Sequence, residues 1–195
     1  MNASMAVELT RYRFTAEEFE QMSESGILAE DDRLELIQGE IIEMSPIGSE
    51  HAACVKRLNY LLQQALGASV VIGVQDPIRL DAHSQPQPDL SVLAFRPDFY
   101  SDGHPAAADV LLAVEVGDTS AVQDRAVKLP LYAAAGIREV WLVDLSRRCV
   151  ECHRAPAVAG YRLILTAFVG EDITIEAFPN QEFAVGDILG RDSKQ

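Results

Sequence analysis

The sequence has few basic residues: 16 lysines and arginines stand against 30 aspartates and glutamates, which gives a formal net charge of −14. Proteins that hold nucleic acid over a broad surface rely on positive charge, and this composition excludes such a surface over the whole molecule. A nucleic-acid-binding protein of this kind would have to concentrate its positive charge on one face, for which Lys56, Arg57, Arg125 and Lys128 are candidates. We expect weak and salt-sensitive affinity for nucleic acid.

The sequence also lacks long apolar runs: nowhere do about 18 apolar residues follow one another. The segment MNASMAVELT has neither the positive charge nor the apolar stretch of an export signal. We therefore expect no membrane partner and a cytoplasmic location. With 48% hydrophobic residues in 195, we expect a single domain over 1–195, with a core at about 14–165 and a less patterned C-terminal segment.

Cysteine is scarce, yet Cys149, Cys152 and His153 form C-x-x-C-H, the pattern that attaches c-type haem. Haem attachment normally accompanies export, for which the sequence gives no signal. The segment RRCVECHR also has the pattern of a strand, on which two thiols three residues apart point to opposite faces. We therefore expect no haem and no shared zinc, and reduced, partly buried cysteines.

Two helices are indicated in the first third of the chain. Thr15 begins a T-x-x-E capping box, which predicts a short helix to about Ser25. Ser49 is expected to cap a longer helix, whose apolar residues recur at helical spacing until Gly67.

A β-hairpin is predicted between these helices, where RLELI and EIIEM alternate around Gln38-Gly39. Neighbouring residues of a strand point to opposite faces. Glu35 should therefore point away from Leu34 and Leu36 and towards a cleft.

The segments ASVVIGV, PIRL, PDLSVLAF and VLLAVEV are predicted strands. The last two are joined without helical periodicity, so we expect antiparallel neighbours. Asp89 begins one strand and Glu115 nearly ends the other, and this arrangement would place their side chains together.

A helix beginning at Ser120 should carry Lys128 on the same face as Asp124 and Tyr132, with a kink at Pro130. REVWLVDL then reads as a buried strand. RCVECHR and YRLILTAF predict an antiparallel pair joined by a turn over 156–160. The predicted fold class is α/β (α+β), a mixed sheet with helices packed against it.

Asp89, Glu115 and Lys128 lie in or beside apolar segments, where an unpaired charge is costly. Carboxylate oxygens suit Mg²⁺, which takes one or two protein carboxylates and keeps several waters. The Val116 carbonyl is a candidate third ligand. Lys128 would orient or deprotonate a water and stabilise charge on the attacked phosphate. These residues predict a metal-dependent phosphodiesterase.

Other acidic residues and one histidine are accessory candidates. Glu35 or Glu40 could hold a second metal or a water. Asp124 and Lys128 also match an ordinary i,i+4 surface pair. His51, near the start of its helix, is expected to be solvated or hydrogen-bonded rather than a ligand.

Five segments follow one another in a specific order between about Phe14 and Tyr161. They are RLELIQGEIIEMSPIGSEH, QPQPDLSVL, LLAVEV, DRAVKLPLYAAAGIREVWLVDLSRRCVECHR and a later P-x-x-x-G-Y. Each is loose alone, but together they resemble the Uma-two family of restriction-endonuclease-like proteins in the PD-(D/E)xK superfamily. The resemblance implies a restriction-endonuclease-like mixed central sheet flanked by helices and a Mg²⁺ site, for which Mn²⁺ can substitute.

The resemblance also assigns roles to individual residues. Asp89 matches the motif aspartate and Glu115 the motif glutamate, while the usual lysine position holds Gly117. Lys128 matches a lysine that the family carries on the following helix. Glu35 and His51 match its acidic residue in R-x-E-L and its histidine. These assignments imply hydrolysis of DNA phosphodiester bonds.

One segment departs from the family pattern, because EVGDTS stands where E-V-x-S-P-S-T is usual. Asp118 replaces a serine and adds negative charge beside the predicted metal. Two alternatives therefore stay open: a non-catalytic binding or assembly protein, and a phosphodiesterase that acts on a small phosphorylated compound. Paired nucleases often act as symmetric homodimers, and the VWLV strand or the C-terminal hairpin would be the interface.

Overall fold

The structure, a computed structural model, describes residues 10–29, 31–117 and 124–190. The helices are α1 (Ala16–Glu24), α2 (Ser49–Leu66), α3 (Leu129–Ala134) and α4 (Val185–Leu189). The strands are β1 (Leu34–Ile37), β2 (Glu40–Glu43), β3 (Val70–Val74), β4 (Leu90–Ala94), β5 (Val110–Gly117), β6 (Glu139–Asp144), β7 (Cys149–Ala157), β8 (Gly160–Phe168), β9 (Asp172–Ile175) and β10 (Phe178–Ala184).

Six strands form the central sheet in the order β3-β4-β5-β6-β7-β8. Neighbours are antiparallel except β5 and β6, which are parallel and joined by a connection that contains α3. The predicted mixed sheet with flanking helices is confirmed, as is the antiparallel pairing of β4 with β5.

Each face of the sheet has its own hydrophobic core, because side chains alternate along the strands. On one face, α2 and α4 cover Val114, Trp141 and Val143. On the other, α3 covers Ala113 and Leu142. Burial on both faces explains why β6 is apolar almost throughout, and all six of its residues are buried.

The hairpin of β1 and β2 forms around Gln38-Gly39, as predicted. Both turn residues have positive φ, 51° and 79°, as a two-residue hairpin turn requires. A Cβ at Gly39 would lie 2.6 Å from the Cβ of Arg13, so this position also needs the space that only glycine leaves. Leu36 packs in a small core with Phe19, which leaves the opposite face of β1 to Glu35.

The capping box at Thr15 is present, but the expected cap at Ser49 is wrong. Gly48 is the N-cap residue of α2, and no side chain caps this end. Ser49 is instead the first residue of the helix. The helix stops at Leu66 with Gly67 as its C-cap, as expected.

The predicted helix start at Ser120 lies outside the described residues. Asp124–Lys128 form a π-helical turn that leads into α3. Pro130 is the second residue of α3 and follows this π-helical turn closely, so the helix is irregular where the kink was predicted. The kink itself stays a prediction.

Two strand boundaries differ from those predicted. Pro77–Leu80 form no strand, and Arg79 makes only an isolated bridge to Ala106. Pro156 belongs to β7 and pairs with Tyr161, so the turn is tighter than 156–160.

The C-terminal segment, predicted to be weakly patterned, is structured. β9 and β10 form an antiparallel hairpin, and α4 follows directly. Ile173, Ile175, Phe183 and Ile188 are buried in the core beneath α2. The core therefore extends well past residue 165. The strands are short and only partly alternating, which explains their weak signal in the sequence.

Cys54, Cys149 and Cys152 are free and fully buried, rather than partly buried as expected. Cys152 packs in the core beneath α2, while Cys149 pairs with Asp144 on β6 and, by strand alternation, faces the opposite side. Burial raises the pKa of Cys152 to about 12, so its thiol stays protonated at neutral pH.

Among the residues that the structure describes, no helix is long and apolar enough to cross a membrane. The VWLV strand is β6, whose burial in the middle of the sheet rules it out as a dimer interface. The outer strand β8 exposes Ile164 and Phe168 at the sheet edge. A homodimer through this C-terminal hairpin stays a prediction.

Candidate metal and phosphate site

The ends of β4 and β5 bring Asp89 and Glu115 together. Leu90 pairs with Val114, so Asp89, one residue earlier, lies beside Glu115 across the two strands. The Val116 amide donates a 2.8 Å hydrogen bond to Asp89 Oδ2 and ties the strand ends together. Both carboxylates are buried, with 6% and 3% of their surface exposed.

Two further side chains hold the Asp89 carboxylate. Gln75 Nε2 donates to Oδ1 at 3.1 Å, and His51 Nε2 lies 2.9 Å from Oδ2. His51 reaches this point from the first turn of α2 and is hydrogen-bonded, as expected. Its buried Nδ1 has no hydrogen-bond partner among the described residues. Asp89 is thus held in place from three directions.

Lys128 lies between two carboxylates. Its Nζ is 3.1 Å from Glu35 Oε2 and 3.3 Å from Glu115 Oε1. Tyr132, one turn further along, donates a 2.5 Å hydrogen bond to Glu115 Oε1. Lys128 is only 8% exposed, which it tolerates because its charge is paired. We call Glu35, Asp89, Glu115 and Lys128 the carboxylate site.

The carboxylate site lies in a cavity of about 340 Å³. The hairpin of β1 and β2, which also carries Glu35, and the loop that follows it line this cavity, with Ile42 and Met44 among the lining side chains. Arg13 and Arg33 also line this space. The site is therefore a recessed cleft that combines acidic, basic and apolar surfaces.

The accessory candidates differ in their position relative to the cavity. Glu40 lines the cavity but pairs with Arg11 at its exposed rim, 3.3 Å away. Asp118 lies outside the described residues, as does the side chain of Asp124. Of these three accessory candidates, the structure brings Glu40 to the cavity. Val116, whose carbonyl is the candidate third metal ligand, also lines the cavity, and its amide binds Asp89.

The four basic residues proposed as a positive face do not converge. Arg57 donates to the carbonyl oxygens of Ile188 and Leu189 at the end of α4. Lys56 is exposed on α2, and Lys128 is buried in the carboxylate site. Positive charge near the cavity comes instead from Arg13 and Arg33, which composition alone did not single out.

The donor set fits a hard divalent cation that keeps several waters. Each carboxylate oxygen can accept two hydrogen bonds or ligands, and Asp89 Oδ1 accepts one hydrogen bond from Gln75. Lys128 Nζ lies 3.5 Å from Glu115 Oε2. No group of three or more His, Cys, Asp or Glu side chains among the described residues is arranged to hold a metal. Two carboxylates suffice for Mg²⁺.

A second charged group lies on the same face of the sheet, on β6 and β7. We call Arg125, Asp144, Arg147, Glu151 and His153 the arginine cluster. Arg125 donates two hydrogen bonds to Glu151, at 2.9 and 3.1 Å, and one to Asp144 at 2.8 Å. Arg147 Nη1 lies 2.6 Å from Glu151 Oε1. These pairs fasten the segment that carries Lys128 to the sheet.

Burial and hydrogen bonding oppose each other in this cluster. Burial would raise the pKa of Glu151 and of Asp144, but hydrogen bonds from Arg125 and its neighbours outweigh burial and lower both pKa values. Burial lowers the pKa of His153, against the opposing effect of Glu151. The cluster at neutral pH thus holds two carboxylates, two guanidinium groups and a neutral imidazole.

Sequence reasoning missed the roles of two residues in the site. Tyr132 was expected on the face of Lys128, and its position four residues later is the signal that could have placed it. Gln75 gave no signal, because it is a polar residue just after a strand. It adopts a positive φ of 57°, an uncommon backbone state for a non-glycine residue that often marks functional sites.

A mixed central sheet flanked by helices, with two carboxylates at neighbouring strand ends and a lysine in the turn before α3, matches a restriction-endonuclease-like fold. A solved structure supports this fold: the crystal structure of a "putative nuclease belonging to DUF820" from Anabaena variabilis matches with a TM-score of 0.68 and 15% identity. The match covers 90% of this chain and 97% of that one. At this identity it shows the fold alone.

The sequence comparison is more specific. The model of the Uma2 family, described as "Putative restriction endonuclease", matches residues 16–186. The chain therefore belongs to the Uma2 family. It is also 30% identical over 178 residues to a protein of Synechocystis sp. described as "Uncharacterized protein sll1609", which covers 88% of this chain and 97% of that protein. The predicted kinship with the Uma-two family is confirmed.

Proposed function

We propose that this protein is a Mg²⁺-dependent endonuclease that hydrolyses DNA phosphodiester bonds. The observation that carries the proposal is the position of Lys128 Nζ, within 3.5 Å of both Glu35 and Glu115, in the cavity that Asp89 also lines. Membership in a family described as restriction endonucleases supports the same reaction.

Asp89 and Glu115, with the Val116 carbonyl, would hold the metal. Mg²⁺ would offset charge on the attacked phosphate and acidify a water molecule, and Mn²⁺ would serve in its place. His51 and Gln75 keep Asp89 in position, because they hydrogen-bond both of its oxygens. In this arrangement, Asp89 and Glu115 bind the metal, and Lys128 acts on the attacking water.

Lys128 would orient the attacking water and stabilise negative charge that develops on the phosphate. Glu35 and Glu115 hold its ammonium group from two sides, so the group needs little reorganisation when the substrate reacts. Tyr132 fixes Glu115 through a short hydrogen bond.

Supercoiled plasmid incubated with pure protein and Mg²⁺ or Mn²⁺ tests the proposal. The unmodified protein should nick the plasmid, and Asp89→Ala and Lys128→Ala should each slow nicking by at least about 100-fold. Glu182→Gln, which changes an exposed carboxylate on β10, is the matched control and should nick normally. Circular dichroism shows whether each variant folds. Absence of nicking, or nicking that neither substitution affects, would contradict the proposal.

The modest size of the cavity favours a second candidate, a phosphodiesterase that acts on a small phosphorylated compound. A cavity of about 340 Å³ lies at the small end of the range for bound ligands. Turnover of bis-p-nitrophenyl phosphate without plasmid nicking would favour this candidate over the endonuclease.

A further inference from the structure

The wall of the cavity that the β1–β2 hairpin and its following loop form carries several apolar side chains beside the carboxylate site. Ile42 pairs directly with Glu35 in the β1–β2 hairpin, so both side chains point to the same side and into the cavity. Met44 and Ile47 continue this surface along the loop towards α2, and Ile47 is 39% exposed. Partly exposed aliphatic side chains beside a buried charged group offer an apolar surface next to the proposed phosphate site.

Two guanidinium groups lie along the same wall. Arg33 donates to the Ser45 carbonyl oxygen at 2.6 Å, and Arg13 donates to the Gln38 carbonyl oxygen. Each guanidinium has five N–H donors, so both keep capacity for phosphate oxygens. They line the cavity with Lys128 rather than forming an extended track across the surface.

This geometry suits an unpaired nucleotide better than a duplex. A duplex presents a dense, stiff array of phosphates, and it is held by many lysines and arginines. The net charge of −14 and the dispersed basic side chains do not provide such an array. A flipped or single-stranded base, in contrast, needs a compact pocket with apolar side chains against its face.

We propose that the substrate is an unpaired DNA strand, with the scissile phosphate at the carboxylate site and the adjoining base out of its stack against Ile42, Met44 and Ile47. This inference rests on the endonuclease function proposed above and names its substrate class. Arg13 and Arg33 bind the flanking phosphates. The hairpin of β1 and β2 thus selects the strand, while the ends of β4 and β5 perform the chemistry.

Fluorescence anisotropy tests recognition apart from cleavage. A short fluorescein-labelled DNA strand is titrated with protein in Ca²⁺, alone and annealed to its complement, at the same salt concentration. The single strand should bind at least about tenfold more tightly, a difference of about 1.4 kcal/mol. Equal or tighter binding of the duplex would overturn the inference.

Matched isoleucine substitutions locate the binding surface. Ile42→Ala should weaken binding of the single strand about fivefold, since an apolar contact is worth of order 1 kcal/mol. Ile27→Ala, which truncates a 69% exposed isoleucine that follows α1, should leave binding unchanged. If Ile42→Ala unfolds the protein, Met44→Ala replaces it. Equal effects of the substitution in the cavity and of Ile27→Ala would overturn the inference.

Two additional arms separate this inference from the function on which it rests. With Mn²⁺ in place of Ca²⁺, failure to cut either the single strand or the duplex would refute the endonuclease function. The relative affinities for single strand and duplex, measured in Ca²⁺, would still test the inferred preference for an unpaired strand. A thymidine dinucleotide that displaces the labelled strand at an equal concentration would assign the cavity to a small phosphodiester and overturn the inference.

Discussion

The carboxylate site and the arginine cluster occupy the same face of one sheet, yet their charges are balanced differently. In the arginine cluster, two carboxylates meet two guanidinium groups, and hydrogen bonds of 2.6–3.1 Å connect them. In the carboxylate site, three carboxylates meet one ammonium group among the described residues. The first arrangement is suited to holding the fold, and the second is suited to receiving a cation.

The comparison shows that burial alone does not identify a functional charge. Asp144 at 2% exposure is buried more deeply than Asp89 at 6%. What distinguishes Asp89 is its position at a cavity and its partners, which are a histidine, a glutamine and a backbone amide instead of guanidinium groups. The balance of charge around a buried carboxylate is therefore the more useful guide to function.

Mg²⁺ should stabilise the folded protein by binding at the carboxylate site. We expect this change in stability to be larger than those caused by Glu151→Gln or by acidification. At a concentration 100 times the dissociation constant, binding to the folded state adds about 2.7 kcal/mol to the free energy of unfolding. Differential scanning fluorimetry should show a rise in Tm with Mg²⁺, and Glu115→Gln should abolish it. A rise that survives Glu115→Gln would refute the metal site and favour the non-catalytic alternative.

Glu151→Gln should lower the free energy of unfolding by about 2 kcal/mol, because Arg125 loses one of its two carboxylate partners and keeps only Asp144. Partial exposure of Arg125 and Arg147, which both pair with Glu151, keeps the loss below that of a fully buried pair. Urea denaturation measures the loss, with Glu182→Gln as the exposed control. The Mg²⁺ response should persist in Glu151→Gln, and its disappearance would show that the two groups are not separate.

Acidification should weaken the arginine cluster gradually. Glu151 and Asp144 have lowered pKa values in the fold, so their contribution is present above the ordinary values of 4.5 and 3.8 and is lost as pH falls through the lower folded values. His153 adds to this loss: its pKa is lowered below 6.5, so protonation favours the unfolded chain as pH falls below that value.

The free energy of unfolding should therefore decline as pH falls from about 6.5 towards 4. Urea denaturation at several pH values measures the slope, which Glu151→Gln should reduce below about pH 4.5, where Glu151 itself becomes protonated. An unchanged slope in that variant would place the pH dependence outside the arginine cluster.

Much of the carboxylate site could be predicted because it follows from local rules. The absence of a helix between two strands predicts that Asp89 and Glu115 are neighbours. Alternation along β1 places Glu35, and helical spacing relates Lys128 to Tyr132. These relations require only one or two elements, so the sequence carries them directly.

The remaining features depend on contacts between distant segments. Glu151 is 26 residues from Arg125, and no periodicity connects them. The positive φ of Gln75 is stabilised by its tertiary surroundings, and α4 is too short to be recognised by its pattern. Roles that arise from three-dimensional packing were therefore the ones that the sequence left undetermined.

The π-helical turn over Asp124–Lys128 makes the length of this segment a sensitive quantity. A π turn accommodates one residue more than an α turn, and deletion of that extra residue would restore a regular α-helix. Because one residue corresponds to about 100° of rotation in an α-helix, such a deletion would swing either Arg125 or Lys128 away from its carboxylates. Uma2 proteins whose segment here differs in length should therefore fall into two groups. One group keeps both the arginine and the lysine beside their carboxylates, and the other has lost one of these two contacts.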